Sequence, residues 1–140
     1  SHSIYGRTFS TLGKLLDPIS QDACAFYETQ AIYKEFSGVV EEVDEGDLIA
    51  EALGDKKVII LQNHGILTTG PSVDIALWFY TSMERCCQAQ LMADAAGETQ
   101  LIPHDTAIKT RSFIANDVAA WASFQPAFDM ICKKEPDLFD

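Results

Sequence analysis

The stretch Val58-Ile59-Ile60-Leu61-Gln62-Asn63-His64-Gly65-Ile66-Leu67-Thr68-Thr69-Gly70-Pro71 decides the fold. Val58 to Leu61 is an unbroken β-branched and leucine run, the pattern of a strand buried on both faces. Ile66 to Thr69 reads as a second short strand, ended by Gly70-Pro71. Gln62-Asn63-His64-Gly65 between them predicts a bend with polar groups at its corner. The His64 imidazole therefore stands at a strand end, where side chains face a cleft. Residue type alone leaves two readings of it. One is a hydrogen-bonded structural histidine. The other is a metal ligand, since neutral imidazoles projected from separate strands or turns suit zinc at about 2.0–2.1 Å.

Downstream, Ser72 is placed to cap a long helix over Val73 to Ala96, stopped by Gly97. Its apolar stripe reads Val73, Ala76, Leu77, Tyr80, Met83, Cys87, Leu91 and Ala95, and Met83 and Met92 read as core. Further helices begin near Asp105 and near Asn116. The last carries Trp121, Phe124 and Phe128, and Pro126 is expected to bend or end it. Upstream, Leu48, Ile49, Ala52 and Leu53 form a short amphipathic helix stopped by Gly54. Glu41, Glu42, Asp44, Glu45 and Asp47 crowd its entry, where the backbone dipole favours acids. Their spacing matches no EF-hand loop, so they read as a solvated helix entry. Gly38-Val39-Val40 suggests a short strand, and Gln21 to Phe36 gives only a weak helical or irregular signal. Strands and helices alternate, which predicts an α/β or α+β layer fold.

The chain has 140 residues, 47% of them hydrophobic and 22% charged, which is a single domain's worth of ordinary globular sequence. Ten Lys and Arg against 21 Asp and Glu give a net charge of −11. Such a surface repels phosphate backbones and anionic lipid, which argues against nucleic-acid and membrane-surface partners. No apolar run reaches the ~18 residues of a membrane span. Cys24, Cys86, Cys87 and Cys132 form neither a CxxC motif nor a secreted disulfide framework, so a reducing, cytoplasmic location is expected. Dinucleotide, P-loop and nucleophile-elbow glycine motifs are absent. His104 reads as the residue ahead of a helix cap. His2, read alone, is either a tag remnant or a native residue.

Leu61-Gln62-Asn63-His64-Gly65-Ile66-Leu67, then Gly70 and the helix opening Val73-Asp74-Ile75-Ala76-Leu77-Trp78, resembles the class II aldolase/adducin family. Ser82 to Leu91 fits the same pattern, and so does the opening His2-Ser3-Ile4-Tyr5-Gly6. The similarity extends over residues 2 to 97. It implies a three-layer α/β/α sandwich with a mainly antiparallel central sheet. It also implies that residues 1–140 are the C-terminal part of a single domain, truncated at its N-terminal side. In that family three histidines hold zinc or another divalent cation, two of them in a His-x-His motif and one in the Asn-His-Gly turn. By resemblance His2 is the second of the pair, which makes it native, and His64 is the third ligand.

The activity implied is that of a zinc-dependent aldolase. It would cleave a carbon–carbon bond of a ketose phosphate, such as fuculose 1-phosphate, through a metal-stabilised enediolate. Related sugar-phosphate epimerases or decarboxylases would use the same metal chemistry, and a non-catalytic adducin-like interaction domain is the contrasting outcome. The resemblance further implies a homo-oligomer, a tetramer with interfacial sites. The acid/base glutamate and the phosphate-binding loops would precede residue 1. The position of the family's catalytic tyrosine counts to Gln21, a departure that touches the sugar-phosphate aldolase reading more than the metal site.

Overall fold

The computed structural model describes residues 1–35 and 43–139. Its centre is β2 (Val58–Leu61), all four residues of which are buried. Side chains alternate across a strand, so Val58 and Ile60 enter one hydrophobic cluster while Ile59 and Leu61 enter another on the opposite face. Both faces are covered, and that is why no polar residue interrupts the run. β1 (Gln30–Tyr33) pairs with β2 in parallel, in register Gln30 to Val58 through Tyr33 to Leu61. β3 (Gly65–Thr68) pairs on the other side antiparallel, in register Val58 to Thr68 through Leu61 to Gly65. Among the described residues the sheet is thus three-stranded and mixed, in order β1-β2-β3. The family resemblance implies a mainly antiparallel sheet; here one pairing of the two is parallel.

Helices cover the two faces. α2 (Val43–Leu53) supplies the crossover that a parallel pair needs, and packs Ile49 and Leu53 against Ile59 and Leu61. On the other face lie α1 (Ile4–Ser10) and α3 (Val73–Ala96). They bring Phe9, Phe79 and Met83, fully buried, against Val58, Ile60 and Ile66. A short 3-10 helix, Asp22–Phe26, adds Ala25 and Phe26 to that core. α4 (His104–Ile114) and α5 (Asp117–Lys134) close the outer side, α5 capped by the Asn116 side chain accepting from Ala119 N–H at 2.9 Å. The result is an α/β layered fold.

Several expectations from sequence change. The helix over Val73 to Ala96 is present, but its buried stripe is Ile75, Phe79, Met83, Cys86, Cys87 and Gln90. Val73 is 75% exposed and Met92 65%. The stripe is rotated so that Tyr80 and Leu91 only flank the core, half-buried, with the Tyr80 hydroxyl turned to Ser1. α5 runs through Pro126 to Lys134, since one proline removes a single backbone donor and the neighbouring turns hold. Ile4–Ser10 forms a helix that the apolar spacing did not announce. Gln21 to Phe36 holds the 3-10 helix and β1. β1 was hidden because its first residue is a buried glutamine, whose amide donates to Leu16 C=O and accepts from Leu16 N–H. The strand expected at Gly38-Val39-Val40, and Glu41 and Glu42, lie outside the described residues.

Candidate functional site

The β2–β3 turn is built by three backbone requirements. His64 N–H donates to Leu61 C=O at 3.0 Å, closing the turn. Asn63 takes φ +61°, a left-handed conformation that asparagine tolerates better than most residues. Gly65 takes φ +153°, and a Cβ built there would lie 2.2 Å from the Ser1 carbonyl oxygen. Only glycine lets the chain's opening residues approach this turn so closely.

The approach is a pairing. Ser1 donates its main-chain nitrogen to Ile66 C=O at 2.7 Å, and Ile66 N–H donates back to Ser1 C=O at 3.3 Å. Reciprocal bonds of that kind mark an antiparallel, hydrogen-bonded pair. Ser1 therefore sits on the outer edge of β3, and His2 follows it beside the turn carrying His64. The two rings come to 4.8 Å between centroids, tilted by 45°. His2 is exposed and His64 half-buried.

Two imidazoles bound to one tetrahedral ion at 2.0–2.1 Å place their centroids roughly 5 Å apart. The observed separation and tilt, with nitrogen donors from two segments 62 positions apart in sequence, fit such a donor pair. Among the described residues no group of three His, Cys, Asp or Glu is assembled that would complete a metal site.

Past His2 the chain turns into α1, whose first N–H groups have no partner within the helix. Glu84 of α3 accepts them. Tyr5 N–H donates to its Oε1 at 2.9 Å, Gly6 N–H to its Oε2 at 2.6 Å, and the Ser3 hydroxyl also to Oε2. One turn to either side, Tyr80 and Gln88 bond the Ser1 and Tyr5 hydroxyls at 2.8 and 2.9 Å. Tyr80, Glu84 and Gln88 recur every four residues and so share one helix face. Sequence reading missed this set. Its signal was a polar i, i+4, i+8 row inside a stretch taken as apolar.

The other candidates lie elsewhere. His104 is the first residue of α4, on the surface, where its Nδ1 meets the Tyr27 hydroxyl at 3.2 Å and the Glu28 carboxylate at 3.6 Å. Gln21 is exposed at the start of the 3-10 helix. Cys24, Cys86 and Cys87 are buried, and burial raises the Cys86 thiol to about 12 and Cys87 further still. Neither behaves as a thiolate nucleophile near neutral pH.

A family model described as the Class II Aldolase and Adducin N-terminal domain matches residues 1–91. Among curated proteins, the chain is 39% identical over 137 residues to "Decarboxylase NovR" of Streptomyces niveus, covering 98% of this chain and 51% of that protein. It is 33% identical over 104 residues to rat alpha-adducin, covering 72% of this chain and 14% of that protein. Among solved structures, the L-fuculose 1-phosphate aldolase from Glaciozyma antarctica superposes with a TM-score of 0.88 at 40% identity. That match covers 98% of this chain and 51% of the solved one. The chain thus spans about half the length of the first relatives it matches.

Proposed function

The chain belongs to the class II aldolase and adducin family, and from that premise we propose that it is part of a metal-dependent lyase that breaks a carbon–carbon bond beside an oxygenated carbon. The single observation that carries this reading is the meeting of the His2 and His64 rings at 4.8 Å at the β2–β3 turn. His2 and His64 would hold zinc or another divalent cation together with ligands not assigned within this chain. When bound, the cation supplies Lewis-acid charge to a substrate oxygen that becomes negative as the bond breaks.

The chain's own residues fix where that happens. Gly65 admits the backbone of Ser1, the Ser1–Ile66 pair sets the height of His2 over the turn, and Asn63 aims His64. The rigid β2–β3 hairpin keeps one imidazole in place while the edge pairing delivers the other. Two ligands on separate segments stay preorganised only if both backbones are held, which the buried sheet does for one and hydrogen bonds do for the other.

Retro-aldol cleavage of a ketose phosphate such as fuculose 1-phosphate is our preferred reaction, supported by the name of the structural neighbour, an L-fuculose 1-phosphate aldolase from Glaciozyma antarctica. Decarboxylation is the second reading, favoured by the name of the Streptomyces relative. Either reaction leaves an electron pair on carbon next to an oxygen that needs positive charge. A soluble cytoplasmic homo-oligomer acting on a small molecule is the setting we propose. The single-domain assignment of residues 1–140, as the C-terminal part of a longer family domain, belongs to the same proposal.

The test is a zinc titration and activity assay of the full-length protein, wild type and His64→Ala, with fuculose 1-phosphate as substrate. Bound zinc and cleavage should fall together while circular dichroism stays unchanged. A folded, zinc-free His64→Ala protein with full activity would remove the metal-dependent reading. An adducin-like interaction module would bind no zinc and cleave nothing in either form.

A further inference from the structure

We propose that Glu84 is a positioning residue for the metal-binding histidine pair: its carboxylate, flanked by Tyr80 and Gln88, fixes Ser1 to Gly6 and so sets the His2 ring against His64. The inference rests on the reading of His2 and His64 as ligands of one ion.

The argument starts from the donors. Three groups within four residues, the Ser3 hydroxyl and the Tyr5 and Gly6 N–H groups, all point at one carboxylate. A carboxylate has about four acceptor sites and no donor, so it satisfies all three at once. Charge-assisted bonds of this kind are shorter and stronger than neutral ones. α1 has seven residues, too few for its own hydrogen bonds to hold it as an isolated helix.

Position follows from periodicity. Tyr80, Glu84 and Gln88 advance about 6 Å per step along α3, and an extended backbone advances about 6.6 Å per two residues. Ser1 and Ser3, ahead of α1, therefore fall in step with Tyr80 and Glu84, while Tyr5, in the first turn of α1, reaches Gln88 through its ring hydroxyl. His2 lies between the first two rungs. Its own side is left to the turn, where its ring meets His64. The close fit leaves no slack: a Cβ on Gly6 would stand 3.0 Å from Glu84 Oε2 and from the Ile66 side chain.

Glu84 touches neither ring through any of these bonds and takes no part in the chemistry. It acts through backbone placement, so its loss should loosen metal binding without abolishing it, in the 10–100-fold range typical of outer partners of a metal site.

Glu84→Gln is the discriminating substitution. The side chain keeps its size, but one acceptor oxygen becomes an NH2 group aimed at N–H donors, in either amide orientation. A packing role predicts that the isostere is silent. The positioning role predicts zinc affinity of the full-length protein lower by about 10–100-fold, read by competition with a chelator. In the zinc-free protein it also predicts faster amide exchange at Tyr5 and Gly6 and a weaker ring-to-ring nuclear Overhauser effect between His2 and His64. Phe26→Leu, buried in the same core and bonded to none of the clamp residues, is the control for general destabilisation and should leave zinc affinity unchanged.

A lower melting temperature for Glu84→Gln with wild-type zinc affinity and ring contact would overturn the inference. Wild-type protein that binds no zinc would instead sink the metal reading. The zinc-free measurements would then still decide the clamp, standing if the ring contact is lost in Glu84→Gln and falling if it is kept.

Discussion

Two segments pack along α3, and they are attached by different physics. Ser1 to Gly6, ahead of the Phe9 that α1 buries in the core, is tied down by directed polar bonds to Ile66, Tyr80, Glu84 and Gln88. α5 is laid against the same helix through Ala120, its one buried residue, with Trp121 half-exposed and Val118 and Met130 largely exposed. Apolar contact is non-directional and tolerates sliding and repacking. Hydrogen bonds with two or three fixed partners do not. A metal ligand needs the second kind of attachment, because displacement of a few tenths of an ångström spoils a coordination bond. A covering helix needs only the first.

The largest expected effect breaks the first region at its turn. His64→Ala in the full-length protein should reduce zinc affinity by more than the about 100-fold ceiling of outer partners, with the fold intact by circular dichroism. Retained affinity would detach the histidine pair from the metal. Gly65→Ala comes next. It sets a Cβ 2.2 Å from the Ser1 oxygen at φ +153°, so we expect a loss of about 2–4 kcal/mol in urea unfolding and the His2 segment displaced from β3. Ile60→Ala removes buried volume beneath both regions and should cost about 2–5 kcal/mol, without selective damage to zinc binding.

Smaller effects sharpen the contrast. Met130→Ala on α5 should stay within about 0.5 kcal/mol in the same unfolding assay and leave zinc affinity untouched. An effect as large as that of Gly65→Ala would mean that α5 is anchored more specifically than its contacts suggest. Last, burial raises the Cys86 thiol from 9.0 to about 12. In the unfolded chain the thiol ionises near 9.0 while the folded one stays protonated. Stability is therefore intact below that pH and declines as pH rises from about 9 to about 12. Alkylation at pH 8 should reach the half-buried Cys132 well before Cys86.

How much of this was legible beforehand depended on whether neighbours in sequence or neighbours in space carried the signal. β2 was readable because burial on both faces demands an uninterrupted apolar run, and the sequence Val58 to Leu61 has one. The span of α3, with Gly97 closing it through a bond from its N–H to Ala93 C=O at 3.1 Å, was readable from periodicity and a glycine stop. β1 was not, because the Gln30 amide is satisfied by Leu16, fourteen positions away. His2 and His64 were suspected through resemblance, yet nothing local to either residue announces the other.

By itself the sequence determined the hairpin, the long helix and the acidic character, since each follows from residue type and spacing within one element, whereas the histidine pair came only from the family resemblance. Tertiary structure alone decided which face of α3 is buried, why residue 65 must lack a side chain, and which carboxylate holds the opening segment. Those outcomes depend on atoms that meet only after folding. The oxygen of Ser1 meets position 65, and the donors of Ser3, Tyr5 and Gly6 meet Glu84, about 80 positions away in sequence. A spacing rule reaches one or two helical turns; the position of His2 is set by contacts far beyond that range.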